Sequence, residues 1–262
     1  MKRYLTISLI TLAIVSVSHS QNKIKYETVF FEDNSLETTN AKITLQNAIS
    51  ENDLIKAKVK VNNYTGKALV LKPEECSFSS AAGEVFSKDK WMVIGPRQEE
   101  SKTIDVKGDN LKTDKTTFKI NGFYICNTVE VIVAPDMQLP PQQELTIGNF
   151  KLELDGWDRD GKEIMIKYKV RYMGDKVGIF NPSLVLLKSP NGSEYKNQKD
   201  KEKIFAFKKK EDYLVGFLYL SDSKKENVLL WKDAFSEGTP EKIQGSVTVD
   251  LKMDLPKTKD KN

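Results

Sequence analysis

Ile55-Lys-Ala-Lys-Val-Lys-Val-Asn62 changes character at every step: Ile55, Ala57, Val59 and Val61 alternate with Lys56, Lys58, Lys60 and Asn62. Side chains of a strand point to opposite faces at period two, so one face of this run is apolar and the other basic. That is the pattern of a strand with one face on a core and the other in water. Helical spacings of three and four do not fit it. The pattern returns downstream, where Ile164, Ile166, Tyr168 and Val170 alternate with Met165, Lys167, Lys169 and Arg171.

The two runs belong to a longer repeat. Residues 40–86 lie without a gap on residues 149–195 after a shift of 109 positions. Eleven of the 47 aligned positions are identical, including Asn40/Asn149, Lys42/Lys151, Leu45/Leu154, Lys67/Lys176, Pro73/Pro182 and Gly83/Gly192. So long a period points to duplicated domains, because solenoid repeats run at about 20–50 residues.

Residues 1–20 have the form of a secretory signal peptide: Lys2-Arg3, an apolar run from Leu5 to Val17, then small residues before Gln21. The run is short for a membrane span, and no later segment is long and apolar enough to cross a bilayer. The mature chain is therefore expected to be exported, periplasmic or extracellular, with no transmembrane span. The leader holds two of the 41 Lys and Arg residues and none of the 37 Asp and Glu residues, which leaves a mature net charge of +2. That balance argues against a nucleic-acid partner.

Short apolar runs punctuated by turn residues about every 8–12 positions argue an all-β chain of sandwich type. The expected order is signal peptide 1–20, β-sandwich domain 21–136, proline-rich linker 137–143, β-sandwich domain 144–254 and a polar, disordered tail 255–262. Adjacent Pro140 and Pro141 block helix and central strand and hold the chain extended, so the linker is expected to be semi-rigid and open to protease. The charged run 197–203 reads as an exposed loop.

A strand like residues 58–62 leads through a turn to one like residues 68–71, then to Pro73, to a turn at Gly83 and to the aromatic Phe86. In this the chain resembles the tandem immunoglobulin-like β-sandwich domains of bacterial secreted proteins, in particular the immunoprotective-antigen type. The resemblance covers most of both domains. It implies binding or accessory modules, and the Cys–Trp–Cys framework of antibody domains is not evident here.

The one histidine, His19, lies in the leader, so the mature chain can build neither a Ser–His–Asp nor a Cys–His arrangement. Histidine zinc sites and a Cys₄ site fall for the same want of ligands. No catalytic residue and no cofactor is assigned. Cys76 and Cys126 are either a structural disulfide, which export permits, or two buried free thiols. Asp155, Asp158 and Asp160 surround a predicted turn over residues 155–161 and could hold calcium weakly, since that ion takes several oxygen ligands. Trp157, in the same turn, is the candidate for stacking on a sugar, whereas Trp91 and Trp231 sit in apolar strands and read as packing. Lys208-Lys209-Lys210 could meet an anionic glycan or membrane surface.

The function expected from these features is that of a non-catalytic exported binding protein with a protein or glycan partner, met on loops or on an exposed sheet edge. The alternatives are a carbohydrate-binding accessory module using Trp157 and a carboxylate-dependent hydrolase, which needs two acids converging in a cleft.

Overall fold

The computed structural model describes residues 25–80, 83–221 and 226–262; the expected signal peptide lies outside the described residues. The first half of the chain forms β1 (Val29–Phe30), β2 (Asn34–Glu37), β3 (Ala41–Ser50), β4 (Leu54–Asn63), β5 (Leu69–Leu71), β6 (Cys76–Ser80), β7 (Gly83–Phe86), β8 (Met92–Ile94), β9 (Glu99–Lys107), β10 (Lys115–Ile120) and β11 (Phe123–Ile132). The second half forms β12 (Met137–Gln138), β13 (Glu144–Ile147), β14 (Phe150–Asp160), β15 (Glu163–Tyr172), β16 (Val177–Phe180), β17 (Leu186–Lys188), β18 (Glu194–Lys196), β19 (Phe205–Phe207), β20 (Asp212–Leu220), β21 (Val228–Leu230) and β22 (Phe235–Lys242). Strand β23 (Val247–Lys252) and helix α1 (Leu255–Lys261) follow. The fold is all-β apart from α1 and two short 3₁₀ turns, Pro73–Glu75 and Pro182–Leu184.

The alternating runs are β4 and β15, and both lie centrally. β4 pairs antiparallel with β3 and β9, and β15 with β14 and β20. Ile55, Ala57, Val59 and Val61 are fully buried, as are Ile164, Ile166, Tyr168 and Val170. The outward face carries the lysines; Lys60, for example, meets Glu99 at 2.9 Å. Beneath these sheets are two cores of different texture. The first is mostly aliphatic around Phe78 and Phe118, whose rings are 4.6 Å apart. The second is aromatic, with Phe150, Tyr172, Phe180, Phe207, Phe217, Trp231 and Phe235 packed together.

The halves do not sit as separate beads. They share one six-stranded sheet in the order β19-β16-β22-β11-β5-β8, joined where β11 pairs with β22. On one face, residues of β5, β8 and the start of β11 enter the first core, while those of β16, β19 and the start of β22 enter the second. The sheet curls until its outer strands approach each other. Gln98 Nε2 donates to Ile204 O at 2.6 Å and Lys208 Nζ to Trp91 O at 3.3 Å across that seam. The other face forms a third buried cluster of small residues: Ala68, Val70, Val93, Cys126, Val177 and Ala206. So narrow a curl leaves room for little more. A Cβ on Gly238 would lie 2.8 Å from Cys126 Cβ, so this position takes only glycine without displacement.

Each half is also completed by the strand that follows the other. After β11 the chain enters the second half, where β12 pairs with β21; after β22 it returns to the first, where β23 pairs with β10 along six residues. This corrects the expected boundaries in three places. First, residues 247–252 belong to the first half's sheet, with Val249 and Leu251 in its core. Second, the expected linker is built in: Met137 and Leu139 are buried in the second core, Leu139 N donates to Asn227 O, and Tyr168 Oη donates to Gln142 O. The prolines come only after β12, so they do not interrupt its pairing.

Third, the tail is ordered. Asp254 caps α1 by accepting from Lys257 N at 3.0 Å, and Pro256 stands in the first turn, where its missing N–H costs nothing. Thr258 Oγ1, fully buried, accepts from Phe30 N, and Asn262 Oδ1 accepts from Thr28 N, so the helix end serves β1 as a surrogate strand.

Two outcomes follow from this exchange. Leu251→Ala should lower stability to urea by about 2–5 kcal/mol, the range for a buried leucine, although it lies near the end of the chain. Brief digestion with proteinase K, which needs no Lys or Arg, should cut first among exposed residues 201–203 and 209–210; first cuts at residues 136–144 would contradict the packing of Met137 and Leu139.

Candidate functional site

Four of the residues singled out from the sequence lie along one strand. The expected turn at residues 155–161 is the end of β14, which runs to Asp160 and turns at Gly161, where φ is +55°. Asp155, Asp158 and Asp160 are exposed along its length, with Asp155 in a bulge between Leu154 and Gly156. Among the described residues no group of three His, Cys, Asp or Glu side chains could hold a metal ion. An extended strand separates its carboxylates where a calcium loop would converge them. Trp157 faces Ile166 across the hairpin and packs, half-buried, against the second core, on a strand and not on the expected turn. The acidic turn residues masked a strand that continues through them.

The cysteines are both free and buried, and they belong to different clusters. Cys76 is in the first core and Cys126 in the interior of the curled sheet. A bridge would need their Cβ atoms about 4 Å apart, which opposite placement in two clusters does not give. Burial pushes both thiols up to about 12.

The lysine run does reach a concave site. Lys208 and Lys209 line a cleft of about 430 Å³ between the halves, with Lys176 and Asp175 from the second half and Glu74, Lys88, Asp89, Lys90 and Trp91 from the first. Lys209 meets Asp175 at 2.6 Å, Lys176 meets Glu130 at 2.6 Å and Lys208 meets Glu211 at 3.4 Å. Lys88 and Lys90 are exposed and have no side-chain partner among the described residues. Trp91, half-buried, is held in orientation. Its Nε1 donates to Glu74 Oε1 at 2.6 Å, and the Lys72 ammonium lies over its ring, 4.4 Å from the centroid.

Lys72 also lies over Tyr124, at 4.1 Å, which joins the indole to a second set of groups. Tyr124 Oη donates to Glu75, and Lys242 Nζ donates to the same carboxylate at 2.6 Å. Burial pulls Glu75 up, but the hydrogen bonds from Lys242 and Tyr124 outweigh it and hold the carboxyl below its ordinary value. Burial, with Glu75 beside it, pushes Tyr124 up to about 12. None of these groups is marked in the sequence. They come from the residue before β8, from β11 and β22, and from a 3₁₀ turn with its cap, and only the lysine run hinted at the place.

A second, shallower cleft of about 640 Å³ opens at the other end of the seam and holds Glu99, Glu100, Asp200 and Glu202 with Lys201 and Lys203. Burial raises the Glu100 carboxyl above its ordinary value, against the pull of Lys203. Its neighbours are already engaged: Glu99 meets Lys60, and Asp200 Oδ2 accepts from Gly216 N at 3.0 Å.

No protein-family model and no curated protein matches the chain. Among solved structures, one of oxalate decarboxylase is aligned at 10% identity with a TM-score of 0.17, over 86% of this chain and 80% of that one, a likeness too slight to carry an argument. No helix among the described residues is long and apolar enough to cross a membrane.

Alkylation in the native state should modify neither cysteine, and alkylation after unfolding without reductant should add two groups by intact mass. Adding calcium should leave the melting temperature where it is; a rise abolished by Asp158→Asn would restore the calcium site.

Proposed function

We propose that the protein is a non-catalytic exported binding protein, built from two immunoglobulin-like sandwiches that share a sheet, and that it takes a partner's extended segment along β11. The observation that carries this reading is the exposed edge of that strand. β5 pairs with β11 only over Phe123–Ile125, with a last hydrogen bond from Cys126 N to Ala68 O. Beyond it, residues 128–132 pair with β22 on one side, and among the described residues no strand covers the other.

The composition of this edge supports the reading. Val129, Val131 and Val133 stand at alternate positions with 42%, 52% and 88% of their surface exposed. Natural edges are guarded by proline, lysine or short length. Residues 128–133 carry no proline or lysine, and their one charge, Glu130, is neutralised by Lys176. A partner strand with apolar residues at alternate positions would gain main-chain hydrogen bonds and contact with the valines, the usual terms of strand addition.

Residues 21–262 should capture a partner from the envelope or secreted fraction of the native cell, and that partner should slow hydrogen exchange at residues 128–132. Val129→Glu with Val131→Glu should weaken capture about tenfold or more and shift stability by about 0.5 kcal/mol or less, since both sites are exposed. Capture that leaves those amides unprotected sinks the edge reading, as does concentration-dependent self-association that alone accounts for the protection.

A further inference from the structure

A different observation, independent of the β11 edge, concerns the cleft at Trp91. We infer that this cleft binds an acidic oligosaccharide, a chain of sugar units bearing sparse carboxylate or sulfate groups. The cleft offers the two things such a ligand needs. One is an apolar ring of fixed orientation: the indole of Trp91, pinned at its N–H by Glu74 and on its ring by Lys72. The other is ammonium groups around that ring. Lys88 and Lys90 have no side-chain partner among the described residues, so an anion can reach them without breaking an ion pair, and Lys208 and Lys209 stand on the opposite wall. Such amines gain more from an anion inside a cleft than on an open surface, because the walls limit screening.

The lining also says what the ligand is not. Glu74, Asp89 and Asp175 stand among the lysines, and their oxygens suit sugar hydroxyls. The same oxygens repel a phosphate backbone, which carries a charge on every unit. Single-stranded nucleic acid is held on several rings in succession along a basic groove. Here the cleft offers a single indole, and the chain as a whole is nearly neutral. Because the walls come from both halves, the ligand would span the seam that Lys208 closes on Trp91 O.

The test is titration calorimetry of residues 21–262 at about physiological ionic strength, where diffuse surface attraction is screened. The probes are hyaluronan and unsulfated chondroitin hexasaccharides, which carry one carboxylate for every two sugar units, a neutral dextran oligomer and an oligothymidylate. The expected result is saturable binding of at least one acidic oligosaccharide, none of dextran and at least tenfold weaker binding of the oligothymidylate. Lys88→Glu with Lys90→Glu should weaken the acidic sugar at least tenfold, and Trp91→Ala should do so too. Trp91 also packs against the buried cluster, so the lysine pair, whose side chains touch nothing there, keeps the test independent of folding. Binding of the oligothymidylate as tight as that of the sugar overturns the assignment in favour of a general polyanion site. Binding unchanged in the lysine variant, or no acidic oligosaccharide bound, overturns it outright.

Discussion

The pairing of β11 with β22 makes one molecule of two repeats. Eight residue pairs join these strands, with a bulge between Cys126 and Thr128, and on either side the pairing extends into β5 and β8 of one half and β16 and β19 of the other. Both cores therefore rest on the same sheet. The curl of that sheet requires small groups inside it, as the close contact of Gly238 with Cys126 shows. Because the outer face is split between an aliphatic core and an aromatic one, the two repeats can diverge in packing and still keep the shared wall.

The seam where β8 meets β19 explains where the concave surfaces are. Sandwich faces covered by charged side chains offer little depth. The approach of two outer strands without a ladder between them leaves a trough at each end, and both clefts lie there. Their characters differ because the loops differ: lysines with an indole at one end, carboxylates mixed with lysines at the other. The exposed part of β11 arises from the same geometry, since β5 is only three residues long and β11 is ten.

The period-two runs were legible because burial on one face of a strand imposes a strict alternation, as it does in β4 and β15. The repeat was legible too, down to the equivalent turns at Pro73 and Pro182, because it shows as a register. The exchange of β12 and β23 was not. A strand's sequence records that it has a buried face but not which neighbour buries it, so Val249 and Leu251 read as the close of the second half. The helical tail carried a capping signal at Asp254 and Pro256 that its polar composition obscured. The acidic stretch at residues 155–160 misled in the opposite sense, because turn-forming residues tolerate an exposed strand when the opposite strand, here β15, is strong. The Trp91 cleft depends on residues far apart in the chain, and only the three lysines at 208–210 stood out as a patch.

The return of β23 to β10 has a bearing on how the protein is made. Lys115 pairs with Lys252, so the first core is sealed by a segment that leaves the ribosome more than a hundred residues after the strand it joins. During that interval β10 has β6 along one edge, while the edge that β23 will take stays unpaired. Synthesis is vectorial and closure of long loops is slow. Were the chain exported, as proposed, this late closure would help keep the first half open until translocation is finished, since that half is incomplete while the last strand is still to come.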